Sequence, residues 1–542
     1  MSRIFRSTGI VAASTLASRL LGLTRDILMA ALFSATGSTD AFYVAFRIPN
    51  IARRFLAEGV LTVSFIPVYT DYLVTRGRRD AFELAGRILT FMVLLASAVT
   101  ALGVVLSPQI VRLLAMGFVD PSQVGITVVM TRIMFPYLFF VSMLAFCMGI
   151  LNSHGRFFAP AFAPFVLNLG IIAGILALSP YLEEPLYGVA IGVIAGGFLQ
   201  IIFQIPYLMK TGFRMKCSLD LNHPGMRNML RLAVPGIFSM GIQQINTLVV
   251  MLLGSYLPPG SITYIYYSDR LHELVLGVFV VSIGNVILPE LSALRADGEH
   301  RKLMEVYRSA VKSALLVALP AATALAVIGL PVVSVLFMHN KFGAREADMT
   351  YRALLCASFG IPAIAVVRIT NPVFYALHDS KPPFYAAMAS LIVNAGSGFL
   401  LMQTDLRHAG LTLAVSIAAT VHMFIIVVLL ARRAGTIGIN DISRTALKCV
   451  ISSVFMGLVV GLVAAPVDWK ADPFMRRLLR LAAAVISGGG AYCALCWLMG
   501  VAEMRHIVNK IVKRTSRRSR MMQGHAAGVP GEGANRTLKT KP

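Results

Sequence analysis

Apolar runs long enough to cross a lipid bilayer recur from one end of this chain to the other. About twenty helical residues span the hydrocarbon core of a membrane. Of 542 residues, 57% are hydrophobic and only 14% are charged, whereas soluble proteins carry about 25% charged residues. The sequence therefore predicts an all-α polytopic membrane protein with fourteen transmembrane helices, near residues 8–35, 41–74, 84–114, 124–152, 158–180, 187–209, 226–256, 262–292, 303–337, 350–378, 383–403, 409–431, 445–465 and 476–501.

Basic residues are concentrated in alternate connections between these segments. The connections near 76–87, 210–231 and 432–444 are rich in arginine and lysine, whereas 36–40, 183–185 and 257–261 are poor in both. Under the positive-inside rule the basic connections face the cytoplasm, and the even segment count places both termini there. We attribute the net charge of +24 to this topology and to anionic membrane lipids, not to nucleic acid.

Residues of several types in the first half of the chain have a counterpart of the same type in the second half, at a nearly constant spacing. Pro67 is matched by Pro289 and Asn168 by Asn394, 222 and 226 residues further on. Such spacing predicts two halves of six helices in the same orientation, related by an axis along the membrane normal. We therefore divide the chain into 1–215, 216–435, two extra helices in 436–502, and a basic tail, 503–542. The far end of the tail has few apolar residues and is predicted to be disordered.

Several predicted helices carry arginine near the middle of the bilayer. At about 1.5 Å per residue, Arg25, Arg53 and Arg270 lie roughly 15–20 Å from the nearest short outer turn. Arg368 is also predicted near mid-depth, and Arg19 lies in the first segment. A cation there costs at least roughly 2.5–3.5 kcal/mol on insertion scales. Intramembrane ionisable residues therefore indicate a functional site.

The arginines outnumber the carboxylates available to neutralise them. Asp40 lies at the membrane edge, and Arg54 and Glu58, four residues apart, are predicted to pair structurally. An uncompensated buried cation requires water or an anionic ligand, and guanidinium binds phosphate through paired hydrogen bonds. The pattern predicts a cavity that receives an anion such as a diphosphate, from an excess of Arg19, Arg25, Arg53, Arg270 and Arg368 over Asp26, Asp269 and Glu273.

Signatures of enzymes and metal sites are missing from the sequence. There is no P-loop, and His272-Glu273 is not followed by the second histidine of a zinc protease motif. We therefore expect a transporter with no cofactor and no metal. Its cycle would be driven by membrane potential, or by a proton or sodium ion for which Asp26, Asp269 and Glu273 are candidate carriers.

Four motifs resemble one known family. Residues 18–26 (SRLLGLTRD), 40–50 (DAFYVAFRIPN), 53–59 (RRFLAEG) and 151–157 (LNSHGRF) are similar to motifs of the MurJ (MviN) family of lipid II flippases, in the multidrug/oligosaccharidyl-lipid/polysaccharide exporter superfamily. In the second half, Asp269-Arg270-Leu271 and Glu273 match the family pattern. Arg368 stands where the family has a basic residue, often lysine.

The resemblance implies two six-helix lobes around a cavity that opens alternately to each side of the bacterial inner membrane. It implies that lipid II moves from the cytoplasmic to the periplasmic leaflet, with other cell-wall synthesis proteins as partners. Arg19, Arg25, Arg53 and Arg270 would line the cavity, with Asp40 and Glu273 as its acidic residues. The last two helices would form a groove for the undecaprenyl tail.

Other functions remain compatible with the sequence. The cargo could be another polyprenyl-linked oligosaccharide. A MATE-like antiporter of organic cations would need an acidic cavity, which the excess of arginine disfavours. A membrane glycosyltransferase would need a catalytic carboxylate near the outer face and usually a sizeable outer loop, whereas the outer loops here are short.

Overall fold

The computed structural model describes residues 2–55, 61, 64–214, 218–435 and 437–505. Glu58 and the far part of the basic tail lie outside these residues. All regular secondary structure in the described part is helical, and it comprises α1 (Ser2–Phe33), α2 (Gly37–Arg53), α3 (Ile66–Thr75), α4 (Arg78–Val105), α5 (Ser107–Leu114), α6 (Pro121–Met134), α7 (Pro136–Ser153), α8 (Phe158–Ala173), α9 (Leu186–Met209), α10 (Pro224–Ser255), α11 (Ser261–Ala296), α12 (His300–Phe337), α13 (Ala344–Ser358), α14 (Ile361–Ala376), α15 (Lys381–Leu401), α16 (His408–Ala434), α17 (Ile439–Ala464) and α18 (Phe474–Leu498).

Some of the predicted segments contain two helices rather than one. In each of these, a proline stands in the first turn of the second helix, as with Pro136 in α7 and Pro362 in α14. Proline lacks the N–H that a continuous helix would need but fits a first turn, where that N–H has no partner. Helices α13 and α14 consequently meet at a bend of 45°.

The described part of the chain contains nine helical spans that are long and apolar enough to cross a membrane, or ten if α13 and α14 together form one. The protein is therefore a multi-pass membrane protein. Helices α1 and α11 are not among these spans, and they are the helices that carry Arg19, Arg25, Asp26 and Arg270. The predicted total of fourteen remains a prediction.

Glycines allow α8 and α9 to pack backbone against backbone. Gly188, Gly192 and Gly196 recur every fourth residue on one face of α9, as expected for close helix contact in a membrane. A methyl group on Gly170 of α8 would lie only 2.5 Å from the Cα of Gly196. The two helices can approach this closely only because neither backbone carries a side chain at the contact.

We expect Gly170→Ala to destabilise the protein by about 1–3 kcal/mol, the usual cost of overpacking. The added methyl group meets a backbone atom, which cannot rotate away. The matched control is Gly396→Ala in α15, where nothing lies within 4 Å and the better helix propensity of alanine should be neutral or slightly stabilising. Thermal unfolding in detergent measures both. Equal melting temperatures for the two variants would contradict the close contact.

Three contacts at separate heights fasten α17 and α18 to α12. Near one end, the buried guanidinium of Arg477 donates to the Ser334 carbonyl at 3.4 Å, which is one of the last four carbonyls of α12 and lacks a helical partner. Further along, the Tyr492 hydroxyl donates to the Leu316 carbonyl at 2.7 Å. One turn before Leu316, Lys312 forms ion pairs with Asp441, in the first turn of α17, and with Glu503, which follows the end of α18.

Candidate functional site

A cavity of about 1300 Å³ lies between the first half of the chain (residues 2–214) and the second (residues 218–434). It is lined by residues of α2, α10, α11, α14, α15 and α16 and extends to Ser380 and Lys381, in the turn between α14 and α15. We call this end of the bundle the open side. The cavity wall is positively charged, because four cations and two carboxylates line it: Arg47, Arg54, Arg368 and Lys381 against Asp269 and Glu273.

The opposite end of the bundle, where α1 ends and α2 begins, is closed by contacts between the two halves. Asp40 is 2% exposed and accepts hydrogen bonds from the Gly260 and Thr263 backbone N–H groups at 2.7 and 2.8 Å, and from the Thr263 hydroxyl at 2.7 Å. A carboxylate at this position satisfies unpaired N–H groups of α11 and interacts favourably with the helix dipole. The structure therefore places Asp40 in the closed side and not in the cavity wall.

Two further hydrogen bonds join elements at the same end of the bundle. The Gly117 backbone N–H, after α5, donates to the Ser255 hydroxyl at the end of α10 at 3.0 Å. The N–H of Lys341 likewise donates to the Ala31 carbonyl in α1 at 3.1 Å. Together with the Asp40 contacts, these bonds join the two halves at this end, opposite the open side.

Arg25 and Arg270 share one buried carboxylate. Asp26 is 1% exposed; one of its oxygens accepts from Arg25 at 2.6 and 3.0 Å, and the other accepts from Arg270 Nε at 2.8 Å. The Arg25 guanidinium also donates to Asn168 Oδ1 at 3.0 Å and to the Tyr266 hydroxyl at 3.2 Å. The other carboxylate near these guanidiniums, Glu273, is 64% exposed and lies 3.9 Å from Arg270. The buried part of the cluster therefore has two cations and one carboxylate, and an anion is a suitable counterion.

Arg25 and Asp26 line a small separate pocket, and the 1300 Å³ cavity is lined by other residues than these two and Arg270. The other predicted site residues of the first half, Arg19 and Arg53, bind different groups. Arg19 donates to the Gly277 carbonyl of α11 at 3.3 Å. Arg19 and Asp26 therefore both contact α11, as their seven-residue spacing predicts. Arg53 Nε donates to Asn50 Oδ1 at 3.3 Å, one turn earlier on α2.

The predicted site residues of the second half lie on the cavity wall. Asp269 pairs with Arg47 at 3.5 Å. Glu273 is 64% exposed and lies 3.9 Å from an Arg270 nitrogen. Arg368 projects from α14 on another part of the wall. The described residues include no group of three or more histidines, cysteines or carboxylates placed to hold a metal ion.

Sequence reasoning did not identify every member of the site. Asn168 emerged only as a landmark of the repeat, although it bonds both Arg25 and, through Nδ2, the Ser18 carbonyl at 3.2 Å. Tyr266 and Arg47 were not singled out. An arginine without a partner in its own helix predicts a partner on another helix, but which residue that partner is depends on tertiary packing.

Two histidines at the open side lie among basic residues outside the membrane. Burial lowers the pKa of His154, and the nearby charges of Arg78 and Arg156 lower it further. Burial and then Arg87 similarly lower the pKa of His223. Both shifts in pKa favour the neutral imidazole, and arginines and lysines dominate the positive charge of this surface.

A charged cavity between two helical halves, closed at one end, defines a polytopic membrane transport protein. Two of the solved structures that share this fold are similar to the chain over most of its length. The chain matches "Lipid II flippase MurJ, inward closed conformation" with a TM-score of 0.76 and 24% identity, covering 90% of this chain and 98% of that one. It matches an inward-facing multidrug resistance MATE family transporter of the MOP superfamily with a TM-score of 0.64 and 14% identity, covering 79% and 98%.

Sequence comparison identifies the family. The family model "Lipid II flippase MurJ" matches residues 29–478. The lipid II flippase MurJ of Burkholderia cenocepacia is 33% identical over 509 residues, which cover 92% of this chain and 98% of the relative. The chain belongs to the MurJ lipid II flippase family. The resemblance predicted from the sequence motifs is thus confirmed, as is the prediction of a transporter rather than a membrane glycosyltransferase.

Proposed function

We propose that this protein flips lipid II, the undecaprenyl-pyrophosphoryl disaccharide-pentapeptide, from the inner to the outer leaflet of the bacterial cytoplasmic membrane. The observation that carries the proposal is the pair of guanidiniums, Arg25 and Arg270, on the single carboxylate of Asp26. A diphosphate supplies the negative charge that this cluster lacks, and it accepts paired hydrogen bonds from arginine. Membership in the MurJ family supports the same cargo.

We propose that the cavity opens alternately to the two sides of the membrane, through the open side and through the end that Asp40 closes. The diphosphate enters from the open side and binds the arginine cluster, with Arg19 and Arg53 completing the positive surface and Glu273 at its edge. Binding reduces the repulsion between cations of the two halves and allows the open side to close. The Asp40 contacts with α11 then separate, and the headgroup is exposed at the other side.

The proposed topology has fourteen spans in two six-helix lobes, with the open side and both termini in the cytoplasm. Equivalent asparagines support the two lobes. In the first half, Asn168 of α8 bonds α1 through the Ser18 carbonyl. In the second, Asn394 of α15 bonds α10 through Asn246 at 2.7 Å. Helices α17 and α18 flank the second lobe, where we place the groove for the undecaprenyl tail.

The return of the empty transporter requires an energy source. Resetting a positively charged cavity across the membrane couples to the membrane potential, which contributes about 2.3 kcal/mol per charge per 100 mV. A proton or sodium ion on Asp26, Asp269 or Glu273 is an alternative coupling route. Anionic membrane lipids and other cell-wall synthesis proteins are the proposed partners besides lipid II.

Reconstituted vesicles test the proposed function. Fluorescent lipid II in the inner leaflet becomes accessible to a membrane-impermeant quencher only after transfer. We expect transfer to be much faster with this protein than in protein-free vesicles, and lipid II to accumulate in the inner leaflet of cells depleted of it. Equal transfer rates with and without the protein would refute the proposal. In a separate assay, the protein is incubated with lipid II, and the absence of a polymerised product would distinguish transport from glycosyltransfer.

A further inference from the structure

The second-half wall of the cavity carries polar atoms that the diphosphate site does not use. His272 in α11 and His422 in α16 each have a buried Nε2 without a hydrogen-bond partner among the described residues, and the same holds for Oδ1 of Asn371 in α14. All three residues line the 1300 Å³ cavity. Buried polar atoms are normally hydrogen-bonded, so these three have unused hydrogen-bonding capacity beside the cavity.

Arg368 lies on the same wall, one turn from Asn371 on α14, and is exposed in the cavity. Among the described residues it forms no salt bridge. Of the two carboxylates on the cavity wall, Asp269 pairs with Arg47 at 3.5 Å. Glu273 is near enough to Arg368 to interact with it electrostatically, but its salt bridge is with Arg270, at 3.9 Å. The wall around Arg368 is therefore suited to an anion that is separate from the one at Asp26.

The size of the cavity also exceeds what a diphosphate needs. Pockets for small ligands are typically about 300–1,000 Å³, whereas this cavity measures about 1300 Å³. The proposed cargo carries a disaccharide and a pentapeptide beyond its diphosphate. The peptide contributes carboxylates, which bind arginine through paired hydrogen bonds and accept hydrogen bonds from imidazole N–H groups.

We propose that Arg368, His422, Asn371 and His272 form a second anion subsite, which binds a carboxylate of the cargo's peptide while the Asp26 cluster binds the diphosphate. The inference rests on the proposed function, because it assigns the two anionic parts of lipid II to two sites, the Asp26 cluster and the cavity wall around Arg368. Arg368 supplies the charge, the two imidazoles supply directional N–H donors to the carboxylate, and Asn371 Oδ1 accepts a hydrogen bond from an amide N–H of the peptide. Cargo without the peptide would lose this recognition but keep the diphosphate contacts.

Binding to two cargo lipids tests the subsite. The full-length protein in lipid nanodiscs is titrated with lipid II and with undecaprenyl-diphosphate disaccharide that lacks the peptide. We expect Arg368→Gln to weaken binding of lipid II about tenfold or more, the scale for a hydrogen bond to a charged group, and to leave binding of the peptide-free lipid unchanged. His422→Leu should act in the same direction with a smaller effect, and His422→Gln, which keeps an N–H donor, should restore part of it.

Two control variants separate the possible outcomes. Arg270→Gln should weaken binding of both lipids, because it removes a diphosphate contact, and Arg301→Gln, whose side chain is 95% exposed outside the cavity, should affect neither. If Arg368→Gln weakens both lipids equally, or neither, the peptide subsite is wrong although the proposed function stands. If the unmodified protein binds neither lipid, the proposed function itself fails, and the subsite fails with it.

Discussion

Arg270→Ala should abolish lipid II transfer in vesicles while the protein still folds in the membrane. The substitution removes a guanidinium from the diphosphate site, but Asp26 keeps its bonds to Arg25 at 2.6 and 3.0 Å. No buried charge is therefore left alone. Arginine binds a diphosphate through paired hydrogen bonds, and each hydrogen bond to a charged group contributes about 1.5–3 kcal/mol. Losing two of them corresponds to a loss of about 100-fold or more in affinity for the cargo.

Further variants distinguish the loss of a transport-site charge from the loss of folded protein. Arg25→Ala should have the same effect, since Asp26 keeps Arg270, and we expect loss of transport in Arg53→Ala also. Asp26→Ala should instead reduce the amount of folded protein, because both Arg25 and Arg270 lose their carboxylate. Arg301→Ala is the matched control on the surface. Normal transfer rates in Arg25→Ala, Arg53→Ala and Arg270→Ala would exclude the arginine cavity as the transport site.

Asp40→Ala should open the closed side and strongly reduce transport. The carboxylate accepts three hydrogen bonds of 2.7–2.8 Å from Gly260 and Thr263, and bonds to a charged group contribute about 1.5–3 kcal/mol each. Losing several kcal/mol of stabilisation from the state in which this side is closed shifts the ratio of closed to open protein by more than about 100-fold. Spin labels at Gly125→Cys and Pro259→Cys, both exposed at this end, should show a longer distance in the variant on a cysteine-free background.

A second capping aspartate provides the control for this experiment. Asp120 accepts from the Ser122 backbone N–H at 2.9 Å, at the same end of the bundle but within the first half alone. Asp120→Ala should therefore lower the stability of α6 by about 1 kcal/mol and leave the distance between the same two labels unchanged. An unchanged distribution in Asp40→Ala would show that Asp40 does not hold the two halves together.

The sequence predicted the helical membrane fold because apolar segments and basic connections are local features. It also predicted that Arg19 and Asp26 face the same way, since helix periodicity fixes the direction of a side chain once the helix is known. Where Pro136 and Pro362 stand inside apolar runs, hydropathy alone did not distinguish one continuous helix from two. The proline positions mark those boundaries.

The partners of the charged residues could not be derived in the same way. Asp26 lies 244 positions from Arg270, and nothing local indicates that Arg25 and Arg270 bind one carboxylate. Asp40 illustrates the same limit, because its partners are backbone groups at the start of α11. Every helix begins with backbone N–H groups that lack a helical partner. Only the packing of the two halves brings Asp40 to the start of α11 rather than to another helix.

The contacts along α12 have a mechanical consequence for a lipid with a long tail. Arg477 and Tyr492 bind α18 to α12, and Lys312 binds α12 to α17. We therefore expect α17 and α18 to move with α12 when it tilts. A polyprenyl chain resting against them would be carried along with its headgroup, as one body. The hydrocarbon then does not have to slide across a stationary surface each time the cavity changes sides.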